Sequence, residues 1–329
     1  MVRSILVIHP GALGDVLLAV PALRWLKKRL PDHHIHLISN EAVGRLLREC
    51  RVIDEWMSVE GALIAELFSG AVPDSTKMRR WFGDCHLAVG WITEETQGLT
   101  TALRSCDIDE IRMQSPFSPQ LKSRHHSDRF LETLGGTMAD LPGNEPLQLS
   151  PSLGEKGRAI LVGMGISLDQ PLVLIHPGSG SPHKCMSATA LANVIVALNQ
   201  EGFCAVVIEG PADEAIVSQL RRLVSMTPTV MREQHLSCVA GVMAQAQVYI
   251  GHDSGTTHLA ALLGVPTIAL FGPTDPEQWA PRGANVVVLQ GSPCGCRSWE
   301  AVRACETKPC LAISVGDILA MVRRILKKG

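Results

Sequence analysis

The stretch Tyr249–Pro276, YIGHDSGTTHLAALLGVPTIALFGPTDP, constrains this chain more than any other. An apolar strand ends at Gly251. The polar knot His252-Asp253-Ser254-Gly255-Thr256-Thr257-His258 then opens a helix, Gly264 stops it, and a second apolar strand, Val265 to Phe271, follows at once. Continuous rather than alternating apolar runs fit a parallel sheet covered on both faces. Asp253 and Ser254 are good helix N-cap residues, and Gly255 lets a ligand approach the backbone closely. Such a helix start presents free N–H groups and a positive dipole end. It can hold a diphosphate without a metal, so the segment points to a nucleotide-linked substrate.

Elsewhere the chain repeats itself once, loosely. Ser4–Gly11 reads SILVIHPG and Pro171–Gly178 reads PLVLIHPG. A short apolar strand, a glycine-containing loop and a helix form the opening unit of a nucleotide-binding sheet. Two such openings predict two similar α/β domains. The 329 residues suffice for both. The turn-rich run Pro142–Pro146 and the Pro151–Gly154 stretch put the seam near 150–170, drawn here as domains 1–155 and 156–310, with a terminal helix in 311–329. Strands are expected at 5–8, 35–38 and 87–90 in the first half, and at 172–175, 204–208, 248–250, 267–271 and 286–289 in the second. Helices are expected at 16–30, 41–49, 188–200, 213–224, 236–244 and 315–328. Pro21 should kink the first of them.

Hydrophobic residues make up 46% and charged residues 19%, which suits a sizeable core. A formal net charge of −2 gives no general pull toward nucleic acid, so an anionic partner would have to meet a local basic patch. Arg79, Arg80, Lys122 and Arg124 are candidates for one, against the plainer reading of a solvated charged face. His9, Pro10, Gly11 and Asp15 interrupt the N-terminal apolar run, which argues against a signal peptide. No apolar run is long enough for a transmembrane helix. Ten cysteines without a secretion signal fit a reducing, cytoplasmic compartment.

Several loops carry chemistry. Gly11-Ala12-Leu13-Gly14-Asp15 follows the first strand, where open α/β sheets bind ligands; Asp15 is either a helix cap or a general base on a hydroxyl. In the loop His176–Lys184, Ser179, Gly180 and Ser181 can donate to phosphate oxygens and Lys184 can neutralise them, or the loop is a solvated surface segment. Glu209 ends an apolar strand, where a carboxylate can accept both ribose hydroxyls or cap the next helix. His258 reads as a structural histidine. Cys294, Cys296, Cys305 and Cys310 match zinc in number but not in the usual spacing; no metal site is assigned to them.

These residues resemble glycosyltransferase family 9, the ADP-heptose:lipopolysaccharide heptosyltransferases. Four pieces carry the resemblance: ILVIHPGALGDVLLAVPAL with its G-x-x-G-D-x5-P pattern, IHPGSGSPHK, DSGTTHLAALLGVPTIALFGPTDP, and the run from Cys310 to Ser314. The resemblance implies the GT-B architecture, two Rossmann-like domains with parallel sheets facing a cleft, and a last helix returning to the N-terminal domain. It implies an inverting, metal-independent transfer with an ADP-sugar as donor and no cofactor. Asp15 then matches the base and Lys184 the phosphate-binding lysine, with Ser179, Gly180 and Ser181 beside it. Glu209 falls at the ribose and Leu236 in the segment lining the adenine. Asp253, Ser254, Gly255, Thr256, Thr257 and His258 match the donor motif, and Gly11 and Gly14 lie on the acceptor side. The implied acceptor is a lipid-linked or oligosaccharide glycan of the lipopolysaccharide core, met in the cytoplasm or at the inner membrane face. The departure is Cys185-Met186, where relatives often carry tryptophan and proline. Other readings of the same fold are a transferase using a non-heptose donor, a sugar epimerase, and a non-catalytic sugar-nucleotide binder.

Overall fold

The computed structural model describes residues 3–69, 76, 84–92, 97–116, 124–141, 143, 145–224, 228–232 and 234–327. It forms two compact units, Met1–Gly143 and Asn144–Gly329.

The first unit is built on β1 (Arg3–Ile8), α1 (Leu13–Leu18), α2 (Val20–Arg29), β2 (His33–Ser39), α3 (Glu41–Glu49), β3 (Glu55–Ser58), α4 (Ala62–Phe68), β4 (Asp84–Trp91), α5 (Gln97–Arg104), β5 (Glu110–Gln114) and α6 (His126–Thr133). Its five strands lie in the order β3-β2-β1-β4-β5, with every recorded pair parallel. Ile5, Leu6, Val7 and Ile8 are fully buried, as a strand covered on both faces must be. The single helix expected over 16–30 is two helices broken at Ala19, which closes α1 and opens α2. Pro21 has no N–H to continue the first helix, and it sits in the first turn of α2, where none is needed. The edge strands β3 and β5 escape the sequence reading because they are short, partly exposed and mixed in polarity.

The second unit contains α7 (Pro151–Gly163), β6 (Leu172–His176), α8 (Ala188–Gln200), β7 (Cys204–Ile208), α9 (Glu214–Leu223), β8 (Thr229–Met231), α10 (Leu236–Met243), β9 (Val248–His252), α11 (Gly255–Leu262), β10 (Thr267–Phe271), α12 (Pro276–Trp279), β11 (Val286–Gln290), α13 (Trp299–Ala304) and α14 (Val315–Leu326). Its sheet runs β11-β10-β9-β6-β7-β8, again with parallel pairs.

Two boundaries differ from expectation. The expected seam at 155/156 would cut α7, yet the units divide between Gly143 and Asn144. Helix α7 is bound to the second unit by a glycine crossing: a Cβ on Gly157 would stand 2.1 Å from the carbonyl carbon of Gly241. Only glycine allows backbones that close. The segment 311–329, expected as a helix returning to the N-terminal domain, packs in the second unit instead. Ile318, Leu319 and Val322 of α14 share a buried cluster with Leu191, Ile195 and Leu198 of α8, and Arg323 Nε donates to Glu201 Oε2 at 2.8 Å.

In both sheets the strand order reverses beside the opening strand, between β1 and β4 and between β6 and β9. The carboxyl ends at such a reversal form a crevice where α/β proteins bind ligands.

Candidate functional site

At the β6/β9 reversal, three loops converge on one carboxylate. Lys184 Nζ lies 2.7 Å from Asp253 Oδ2, and Thr274 Oγ1 donates to the same oxygen at 2.8 Å. Ser179 Oγ donates to the Asp253 backbone carbonyl. The side chain of Asp253 is 7% exposed and that of Lys184 is 21% exposed. A carboxylate removed this far from water requires such partners. Asp253 is therefore committed to Lys184 and Thr274 rather than to the helix cap that the sequence suggests. Thr274 comes from the turn after β10; it stands inside the most informative motif, but sequence reasoning did not single it out.

Ser254 is the N-cap of α11, yet its side chain caps no backbone N–H. Its hydroxyl lies 3.0 Å from Thr256 Oγ1 and 3.1 Å from Thr257 Oγ1. Thr257 in turn donates to the His252 carbonyl at 2.6 Å, and the buried Tyr249 hydroxyl donates to Thr256 at 2.9 Å. A helix start without a side-chain cap is an electropositive end that can receive an anion. Gly251 is required beneath it, since a Cβ there would meet Thr257 Oγ1 at 2.6 Å. His258 lies inside α11 and is 4% exposed.

Two buried histidines support the loop His176–Lys184. His252 Nε2 accepts from the Met186 N–H at 3.0 Å. Burial, helped by neighbouring His176, lowers its pKa to about 4, so His252 is neutral near pH 7. His176 Nε2 lies 3.0 Å from Asp213 Oδ2, which also accepts from the Gly210 N–H at 2.8 Å. Burial raises the pKa of Asp213, but the His176 hydrogen bond and charge and the Gly210 bond outweigh it, and the carboxyl is held below its ordinary range. Asp213 thus opens α9 without capping it by a side-chain bond. Ser181 accepts from the His183 N–H at 3.3 Å, turning the chain toward Lys184. Gly180 is exposed, and a Cβ there would meet nothing.

Glu209, at the end of β7, pairs with Arg232, at the end of β8. It does not cap the next helix. Arg232 was invisible to sequence reasoning because the strand before it has only three residues. Leu236 begins α10 and is half-buried. The loop after β6 also walls a cavity of about 830 Å³ whose lining includes Ser179, Ser187, Asp213, Lys308 and Leu311. Lys184, Asp253 and Thr274 do not line it.

In the first unit, Asp15 is half-buried in the first turn of α1, where Oδ2 accepts from the Ala12 N–H at 3.2 Å. Ala12, not Asp15, is the N-cap: Asp15 stands at the third helical position and reaches back to the N-cap amide, and its carboxylate is half-exposed. Gly11 is needed because a Cβ would stand 2.8 Å from His9 Cε1, and Gly14 falls within the first turn of α1. His9 is 1% exposed and packed on Trp91 and Phe130, with ring centroids 5.8 and 5.2 Å away; burial lowers its pKa to about 4. Of the four cations considered for a basic patch, Arg124 is ion-paired to Glu132, while Arg79, Arg80 and Lys122 lie outside the described residues.

The four late cysteines form a line of thiol contacts: Cys310 with Cys294, Cys294 with Cys296, and Cys296 with Cys305. Among the described residues, no group of three or more His, Cys, Asp or Glu side chains converges as a metal site. No helix among them is long and apolar enough to cross a membrane.

Residues 104–308, more than half of the chain, match the family profile of glycosyltransferase family 9 (heptosyltransferase). The chain is 24% identical over 292 residues to lipopolysaccharide heptosyltransferase 3 of Escherichia coli, covering 83% of this chain and 85% of the relative. Its fold is similar to that of the glycosyl transferase family 9 protein from Veillonella parvula, with a TM-score of 0.84 at 21% identity over 99% and 98% of the two chains. It is also similar to the E. coli ADP-heptose lipopolysaccharide heptosyltransferase II, with a TM-score of 0.74 at 18% identity over 99% of each chain. This chain belongs to glycosyltransferase family 9, the heptosyltransferase family.

Proposed function

We propose that this protein transfers a heptose from ADP-heptose to a sugar hydroxyl of a lipopolysaccharide-core acceptor, with inversion and without a metal. The observation that carries the reading is the Lys184–Asp253–Thr274 cluster beside the uncapped start of α11. An ammonium and a helix start on one spot suit a diphosphate leaving group. The related E. coli protein that names ADP-heptose supports the choice of donor.

Asp15 takes the proton of the acceptor hydroxyl as its oxygen attacks the anomeric carbon. The bond from that carbon to the diphosphate oxygen breaks, and its electron pair leaves with ADP. Inversion follows because attack and departure occur on opposite faces. Lys184 and the α11 start stabilise the growing negative charge, as fixed dipoles and charges do best in sites closed to water. Ser179, Gly180 and Ser181 flank the diphosphate, and Thr256, Thr257 and His258 form and back its helix start. Glu209, held by Arg232, accepts the ribose hydroxyls, and Leu236 lines the adenine. An amphiphilic acceptor implies work at the inner membrane face, with Arg124, and by sequence Arg79, Arg80 and Lys122, assigned to the acceptor side.

Calorimetry with ADP and UDP tests the reading. ADP should bind more tightly, Lys184→Ala should weaken ADP about tenfold or more, as expected for loss of a charged hydrogen bond, and transfer should persist in EDTA. A preference for UDP, or unchanged ADP affinity in Lys184→Ala, would overturn it.

A further inference from the structure

Six consecutive loops along the carboxyl edge of the second sheet each place a side chain in order. Arg232 follows β8, Glu209 follows β7, Lys184 follows β6, Asp253 follows β9, Thr274 follows β10 and Trp299 follows β11. Neighbouring strands are about 4.8 Å apart, so the row from Glu209 to Thr274 spans about 14 Å. A nucleoside diphosphate sugar laid along it, ribose at Glu209 and diphosphate at Lys184, must direct its sugar toward Thr274 and the β11 side.

Trp299 enters from the loop after β11, and its ring stands beside Lys184, where the diphosphate would meet the sugar. It is 44% exposed, one of three large hydrophobic side chains exposed among the described residues. Lys184 Nζ lies 5.8 Å from the centroid of its indole ring. The ring thus holds a cation–π contact with Lys184 and keeps the rest of its surface in water. Its position is nonetheless fixed. Ser298 caps α13 through the Ala301 N–H at 3.3 Å, and Cys296 Sγ contacts the Ala301 carbonyl at 3.7 Å. The Gly291 N–H donates to the Cys310 carbonyl at 2.8 Å and closes the base of the loop.

We propose that Trp299 is the sugar-facing wall of the donor site, its indole packing on the C–H face of the pyranose carried by the diphosphate. This rests on the donor reading given above and adds the residue that distinguishes sugar nucleotide from free nucleotide. Indole offers a polarised face that C–H groups and cations approach, and a hydrated sugar ring loses little by covering it.

Binding of ADP and of ADP-heptose to the full-length protein, with Trp299→Ala and Trp299→Phe, separates the possibilities. Truncation of one aromatic contact should weaken ADP-heptose roughly three- to tenfold, weaken ADP by a smaller factor through the lost contact with Lys184, and be largely restored by phenylalanine. Donor binding should change indole fluorescence in the wild type more than in Trp299→Phe. Equal loss of ADP and ADP-heptose affinity, no loss of either, or an effect confined to acceptor KM would overturn the proposal. A wild-type protein that binds neither nucleotide would instead overturn the donor reading, and this proposal with it.

Discussion

The first strand of each unit runs into a His-Pro-Gly turn, and the two turns have opposite interiors. His9 is wrapped by Trp91 and Phe130, with no charged side chain paired to its ring among the described residues. His176 is paired to the Asp213 carboxylate, which also collects the Gly210 amide. The glycines diverge in the same way: a Cβ on Gly11 would strike the His9 ring at 2.8 Å, whereas one on Gly178 would stand 1.7 Å from Asp213 Oδ1. An identical tripeptide thus fixes where the backbone turns, and residues dozens of positions away decide whether that turn becomes an apolar shelf or a charged seat. The charged one adjoins Lys184 and Asp253, and the apolar one adjoins Asp15.

The most severe way to break this comparison is to remove the titratable group from the apolar side. Asp15→Ala should lower the single-turnover transfer rate about 10²–10⁴-fold, the usual cost of losing a general base, while ADP affinity stays within a few fold. Near-full turnover would show that the carboxylate closes the start of its helix and nothing more.

Acid should sharpen the comparison next. His9 and His252 are held near pKa 4 by burial, against 6.5 when exposed. Because the folded values are depressed, the neutral rings stabilise the fold fully above pH 6.5. That contribution is lost as pH falls from 6.5 toward 4, by up to about 3 kcal/mol for each histidine. Denaturant midpoints between pH 7 and pH 5, before most carboxylates protonate, should fall steadily. A flat profile in that window would mean that both rings accept protons in the folded state.

The smallest effect concerns the glycines. Gly178→Ala must push Asp213 off His176 and should cost about 1–3 kcal/mol by overpacking, whereas Gly180→Ala, with open space around it, should stay within about 0.5 kcal/mol. Equal midpoints for the two variants would show that Asp213 moves freely and that the charged seat is softer than its bonds suggest.

Much of this was legible in the sequence because buried parallel strands and glycine turns leave local marks. The runs at Ile5–Ile8, Leu172–Ile175 and Val248–Ile250 fall within observed strands, and the helix at Gly255 begins where the polar knot indicated. The units and their family likewise follow from motifs. What stayed hidden is pairwise and distant. Nothing near Asp253 announces that Thr274 will share its oxygen, and Arg232 meets Glu209 only because β8 lies beside β7. The edge strands β3 and β5 lacked an apolar run, and α7 looked like linker because its contact is made by a missing side chain at Gly157. The likeness of the two His-Pro-Gly turns was readable; their opposite chemistry was not.

The row of side chains along the second sheet also bears on how that unit is built. Lys184 and Asp253 are 69 residues apart, and Ser179 and Asp253 are 74 apart. Contacts of such long sequence separation form only after the chain has closed large loops, so the seat is assembled late in folding. A ligand spanning these loops therefore recognises only the completed sheet. A nucleotide bound as proposed, at one hundred times its dissociation constant, would hold the fold together by about 2.7 kcal/mol, which would tie the protein's lifetime to its donor.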